Sequence, residues 1–101
     1  MELNLEGKIS LITGSTKGIG LDIAKKLQKE GCKVILNSRN SDDIDNQLKV
    51  IENSFGIACD VTKPLEAKLL IKKIVDQFGN LDLVICNVGS GKSVPPGSET
   101  I

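Results

Sequence analysis

The chain has 101 residues, 40% of them hydrophobic and 26% charged, which is the size and make-up of one small globular domain. Thirteen basic and thirteen acidic residues cancel, and no run of like charge stands out, so composition argues for neither a nucleic-acid nor a membrane partner. No apolar run is long enough to span a bilayer, and Met1-Glu2-Leu3-Asn4-Leu5-Glu6 lacks the regions of a signal peptide; the expected location is the cytoplasm.

The first strand is expected at about Lys8 to Thr13, around the apolar run Ile9-Ser10-Leu11-Ile12. Thr13-Gly14-Ser15-Thr16-Lys17-Gly18-Ile19-Gly20 follows, and then a helix from about Gly18 to Lys29. Ile23, Ala24 and Leu27 share one face of that helix, with Lys25, Lys26 and Lys29 outside. Gly31 stops it. Lys33-Val34-Ile35-Leu36-Asn37 is too apolar to alternate and reads as a strand buried on both faces.

After the turn at Ser38-Arg39-Asn40, Ser41 is placed to cap a second helix. Asp42 and Asp43 in its first turn suit a positive dipole end, and Ile44, Leu48 and Ile51 form its buried stripe. Gly56-Ile57-Ala58-Cys59-Asp60 is a third strand. Thr62 and Pro64 open a third helix with Ala67, Leu70, Ile71, Ile74, Val75 and Phe78 inward, and Gly79-Asn80 ends it. Leu81 to Cys86 is the fourth strand, and residues 88–101, rich in Gly, Ser and Pro, read as loop. Cys32, Cys59 and Cys86 are odd in number and lack a metal-ligand spacing; they are expected to be buried small hydrophobes in a reducing compartment.

The order βαβαβαβ predicts a single α/β domain over residues 1–101, a parallel sheet with helices on both faces. Wound as half of a Rossmann fold, its strand order is 3-2-1-4, with a ligand outside the carboxyl ends of the strands, where the winding reverses. The glycine stretch, Ser38-Arg39, Asp60-Val61 and Asn87 to Gly89 all fall on that edge. Strand, glycine turn and helix make a cradle for phosphate, because the helix start offers free N–H groups and a positive dipole end.

The second strand ends in Asn37, Ser38 and Arg39, where NAD-preferring folds place an acid. A guanidinium there can grip a 2′-phosphate, and Lys17 adds a second positive charge, so NADP is expected over NAD. The plain alternative is that both cations are solvated surface charges. Gly89-Ser90-Gly91-Lys92-Ser93 imitates the end of an NTP-binding loop, but residue 86 is Cys where that motif needs Gly, and Pro95-Pro96 blocks the helix that should follow.

Gly14, Gly18 and Gly20 are spaced G-x-x-x-G-x-G, and with Thr13 and Ile19 they resemble the motif of the short-chain dehydrogenase/reductase family. Asp60-Val61 and Asn87-x-Gly89 extend the resemblance over most of the chain. It implies that Gly14, Ser15, Thr16, Gly18, Ile19 and Gly20 line the pyrophosphate, and Lys17, Ser38 and Arg39 are counted with them as cofactor-binding. It further implies that Asp60 takes the adenine amino group, that the Val61 N–H meets a ring nitrogen, that Asn87 belongs to the cofactor site and that Gly89 lets the backbone pass near the cofactor ribose. Asp60 as a turn and cap residue, and Gly89 as a loop glycine, remain the simpler alternatives. The family's Asn-Asn-Ala-Gly segment departs here at Cys86 and Val88.

The resemblance implies hydride transfer between a nicotinamide and an alcohol or carbonyl, catalysed by downstream Asn, Ser, Tyr and Lys residues. This chain contains no Tyr, His or Trp, and no Tyr-x-x-x-Lys. It therefore reads as the cofactor-binding N-terminal part of such an oxidoreductase, with no catalytic or metal-ligating residue of its own. A non-catalytic nucleotide-binding module, or an interaction module using an open sheet edge, is the alternative. Self-association through that edge is expected.

Overall fold

The computed structural model describes residues 4–87, so Gly89 and the 88–101 loop lie outside the described residues. Four strands and three helices alternate: β1 (Ile9–Ile12), α1 (Gly18–Lys29), β2 (Lys33–Ser38), α2 (Ser41–Leu48), β3 (Ser54–Ala58), α3 (Pro64–Phe78) and β4 (Leu83–Ile85). The sheet is parallel throughout and ordered β3-β2-β1-β4, as expected of the Rossmann winding. β1 is bonded on both sides: Ile12 lies opposite Leu36 of β2 and Ile85 of β4.

Successive residues of a strand point to opposite faces, and both faces here are apolar. Ile12, Val34 and Leu36 join Ala24 of α1 and Ile51 in one core, while Ile9, Leu11 and Ile35 join Leu70 and Ile74 of α3 in the other. Two helices thus cover one face and one covers the opposite face. The Phe55 and Phe78 rings meet edge-on, centroids 4.9 Å apart, and fasten β3 to the end of α3.

Several details depart from the sequence reading. Asn40, rather than Ser41, caps α2: its backbone is extended and its Oδ1 accepts from the Asp42 N–H at 2.9 Å and the Asp43 N–H at 3.3 Å. Ile51 is buried but lies beyond α2, carried inward by a turn in which its N–H donates to the Gln47 carbonyl. α3 meets the sheet along Leu70 and Ile74; Ile71 and Val75, one residue further round the helix, face outward at 37% and 41% exposure. β4 is shorter than expected at both ends, and at its start the Asp82 side chain takes the Ile9 N–H, its Oδ2 accepting at 2.8 Å. Cys32 is buried, but Cys59 is only partly so, and Cys86, just past the end of β4, is exposed. No helix among the described residues is long and apolar enough to cross a membrane.

Candidate functional site

The carboxyl ends of β1, β2 and β4 converge on the glycine loop, and side chains tie them together. The Thr13 N–H donates to the Ile85 carbonyl at 3.0 Å, which continues the β1–β4 ladder by one step. Its hydroxyl accepts from the Asn87 N–H at 2.8 Å, and the Asn87 amide donates to the Gly14 carbonyl at 3.1 Å. On the other flank the Ser15 N–H donates to the Asn37 carbonyl at 3.0 Å, and Ser15 Oγ accepts from the Asn37 N–H at 2.9 Å.

Glycine is required at two points by close approach. Gly14 has φ +58°, and a Cβ there would stand 2.2 Å from the Asn87 carbonyl oxygen. A Cβ on Gly20 would stand 2.4 Å from the Gly14 carbonyl oxygen and 2.5 Å from Asn87 Nδ2. The two glycines allow loop, helix start and β4 end to share one small volume.

α1 begins without a cap. Lys17 precedes it in extended conformation with no side-chain capping bond, and the first turn carries no acid. By contrast, α2 has Asn40 with Asp42 and Asp43, and α3 has Pro64 and Glu66. A helix's first N–H groups have no partner within the helix, so the start of α1 keeps free donors and an uncompensated positive dipole end. Ser15 and Thr16 are buried beneath this start, and Ile19 projects from it at 72% exposure.

The remaining candidates surround the loop. Lys17 Nζ lies 3.9 Å from Asp43 Oδ2, and Arg39 is exposed without an ion pair among the described residues. The Ser38 hydroxyl accepts from the Asn40 N–H, and its carbonyl accepts from the Cys59 N–H. Asp60 shapes the turn after β3: Oδ1 accepts from both the N–H and the hydroxyl of Thr62. Those bonds hold its carboxyl below the usual carboxylate range, with lesser help from the charges of Arg39 and Lys63. Its own N–H donates to Glu66 of α3 at 2.9 Å. The Val61 side chain packs on the α3 core, and among the described residues its N–H makes no hydrogen bond.

Asn37 was legible only as the place where an acid is missing; the structure gives it more to do. At 2% exposure its amide donates to the carbonyls of Ile57 and Cys59, so it joins β2, β3 and the glycine loop. The signal in the sequence is a polar residue closing an otherwise apolar buried strand. Thr13 is legible as the strand end and as the first residue of the glycine motif, but its bond to Asn87 is not. Burial pushes the Cys59 thiol up, against a smaller opposing effect of the Asn37 amide, which makes it a poor nucleophile. Among the described residues no group of three His, Cys, Asp or Glu side chains could hold a metal.

A parallel sheet that reverses its winding beside a glycine turn and an uncapped helix start defines a Rossmann-type α/β protein. The chain belongs to the short chain dehydrogenase family, whose model matches residues 8–100. It is 32% identical over 96 residues to short-chain dehydrogenase/reductase SDRA of Arabidopsis thaliana, an alignment covering 91% of this chain and 38% of that protein. It is 38% identical over 88 residues to a 3-oxoacyl-acyl-carrier-protein reductase of Vibrio cholerae, covering 86% and 36%. Among solved structures, an actinorhodin polyketide ketoreductase variant with NADPH superposes with a TM-score of 0.77 at 33% identity, covering 82% of this chain and 33% of that one. A 3-ketoacyl-acyl-carrier-protein reductase of Brucella melitensis complexed with NADH gives 0.73 at 30% identity, covering 79% and 33%. The chain thus spans under two fifths of the length of these relatives.

Proposed function

We propose that this chain binds the pyrophosphate and adenosine parts of a nicotinamide dinucleotide, NADP in preference to NAD, as the cofactor-binding part of a short-chain oxidoreductase. The observation that carries this reading is the start of α1. It is the one helix among the described residues with neither a side-chain cap nor an acid in its first turn, and it sits where the sheet reverses. Gly14, Ser15, Thr16, Gly18, Ile19 and Gly20 would face the pyrophosphate, whose negative charge suits the free N–H groups of the helix start. Ile19 would be covered by the cofactor, and the Val61 N–H is free to meet the adenine ring. Ser38 and Arg39 would meet the adenosine ribose and its 2′-phosphate, with Lys17 as the second cation. Asn87 would act from behind, by holding the Gly14 carbonyl; Gly89 is assigned to the ribose by the family motif alone.

The bound cofactor would carry the hydride between an alcohol and a carbonyl. The two superposed reductases, one with NADPH and one with NADH, support a dinucleotide and favour neither. The preference for NADP rests on Lys17 and Arg39, and on Asn37 and Ser38 standing where an acid would repel the phosphate. With no Tyr or His to give a proton, this chain is expected to bind without turning substrate over. The test is a titration with adenosine 2′,5′-bisphosphate and with AMP, alongside nicotinamide absorbance in the presence of aldehydes, ketones and alcohols. Tighter binding of the bisphosphate without turnover is expected. Failure of both nucleotides to bind would refute the assignment, and turnover would refute the division between binding and catalysis.

One observation favours a second reading, an interaction module. β4 is bonded only to β1 among the described strands, and Val84 upon it is half exposed. Strand pairing with a second copy would satisfy that edge. Light scattering of the purified chain tests it: a sharp monomer with a cooperative melt counts against this reading.

A further inference from the structure

We infer that Asp43 sets the selectivity of the dinucleotide site by holding Lys17, so that a 2′-phosphate must compete with this carboxylate for the lysine's charge. The inference rests on the NADP reading above and adds a residue that neither the glycine motif nor the end of β2 contains.

β1 and β2 are neighbours in the sheet, so the helices that follow them start side by side. Lys17 stands at the start of α1 and Asp43 in the first turn of α2, and their charged ends are 3.9 Å apart. The pair is unequal. The lysine side chain is 82% exposed, while that of Asp43 is 33% exposed. The backbone bearing Asp43 is fixed, because its N–H donates to the Asn40 cap. The carboxylate is therefore the held partner and the lysine the movable one. Asp42, beside it in the same turn, pairs with no cation among the described residues, and Arg39 is likewise unengaged there.

The two cations assigned to the 2′-phosphate thus differ: Arg39 forms no ion pair among the described residues, whereas Lys17 has the Asp43 carboxylate 3.9 Å away. A phosphate arriving at Lys17 must displace the carboxylate or share the lysine with it, and it meets that carboxylate's negative field. A nucleotide lacking the 2′-phosphate meets no such competition. Asp43 therefore narrows the preference for NADP. An exposed pair of this kind is weak, so its removal should change affinity only about two- to fivefold.

The test compares Asp43→Asn, Asp42→Asn, Lys17→Ala, Arg39→Ala and the Lys17→Ala/Asp43→Asn double variant in the full chain at low salt. Adenosine 2′,5′-bisphosphate and AMP are titrated by calorimetry, and a thermal melt checks that each variant folds. Both aspartate variants lose one charge from the start of α2 and should soften the fold alike. D43N is expected to tighten the bisphosphate about two- to fivefold and leave AMP unchanged, and added salt should erase the gain. D42N should leave the ratio of affinities alone, and the double variant should bind like K17A. An unchanged ratio in D43N, or a gain that persists without Lys17, overturns the inference while leaving the NADP reading intact. If the unsubstituted chain binds neither probe, or if K17A and R39A both bind the bisphosphate as the unsubstituted chain does, the NADP reading fails and the inference falls with it.

Discussion

Asn87 and Gly14, 73 positions apart in the chain, are joined by a 3.1 Å hydrogen bond from the Asn87 amide to the Gly14 carbonyl, and the Asn87 N–H is held by Thr13. The glycine loop is thus shaped by the end of β4 as well as by its own sequence. Replacing Asn87 by Ala leaves the Gly14 carbonyl without this donor. It should cost about 1–2 kcal/mol of stability, read as a lower urea midpoint at unchanged slope. Asn87→Asp should cost more, since it sets a carboxylate against a carbonyl oxygen.

The glycines of the loop are not equivalent. Gly20→Ala places a methyl 2.4 Å from the Gly14 carbonyl oxygen, a contact that backbone must move to relieve. A loss of about 1–3 kcal/mol and of nucleotide binding is expected. Gly18→Ala meets nothing within 4 Å and suffers only from its φ of +58°, a penalty of about 1 kcal/mol. Melting both variants checks the order; a Gly18 variant less stable than the Gly20 variant contradicts it.

Arg39→Ala should weaken NADP by about 1.5–3 kcal/mol and leave NAD nearly unchanged. Equal losses for the two cofactors, measured by titration, would remove the 2′-phosphate role from this residue.

Acid should act on the turn after β3. The two bonds from Thr62 depress the Asp60 carboxyl below its ordinary value of 3.8. A folded-state value below the unfolded one means that the contribution to stability is present above about pH 4 and is lost as pH falls through the depressed value. Thr62→Val removes the hydroxyl bond and keeps the backbone one, so the Asp60 carboxyl should move part of the way up. An NMR titration of its carboxyl carbon reads this directly; an unmoved midpoint would assign the shift to another cause.

The order of elements was legible because glycines and prolines punctuate it and because β2 is apolar on both faces. The strand order needed the further premise of a Rossmann winding, since the βα alternation alone admits other orders. What the sequence hid were side chains that act at a distance. Thr13 and Asn37 look like the last residues of strands, yet their side chains reach 74 positions to Asn87 and 20 positions to Ile57 of β3. Periodicity marks every apolar residue of α3 on a broad arc, whereas the sheet covers only the line through Leu70 and Ile74. Cys86 looked buried by its apolar neighbours, but β4 ends at Ile85 and leaves it exposed.

The buried amide of Asn37 also decides where this site can be redesigned. Installing the acid of an NAD-binding fold at the end of β2 is the obvious way to convert the cofactor, and three adjacent positions offer themselves. At Asn37 an acid would lose the two donors that reach the Ile57 and Cys59 carbonyls and would turn a charge toward those oxygens, in a place closed to water. Ser38 and Arg39 lie further out, where a carboxylate can stay hydrated. A conversion begun at Ser38 should yield a folded protein with altered preference, whereas one begun at Asn37 should unsettle strand, loop and helix start together.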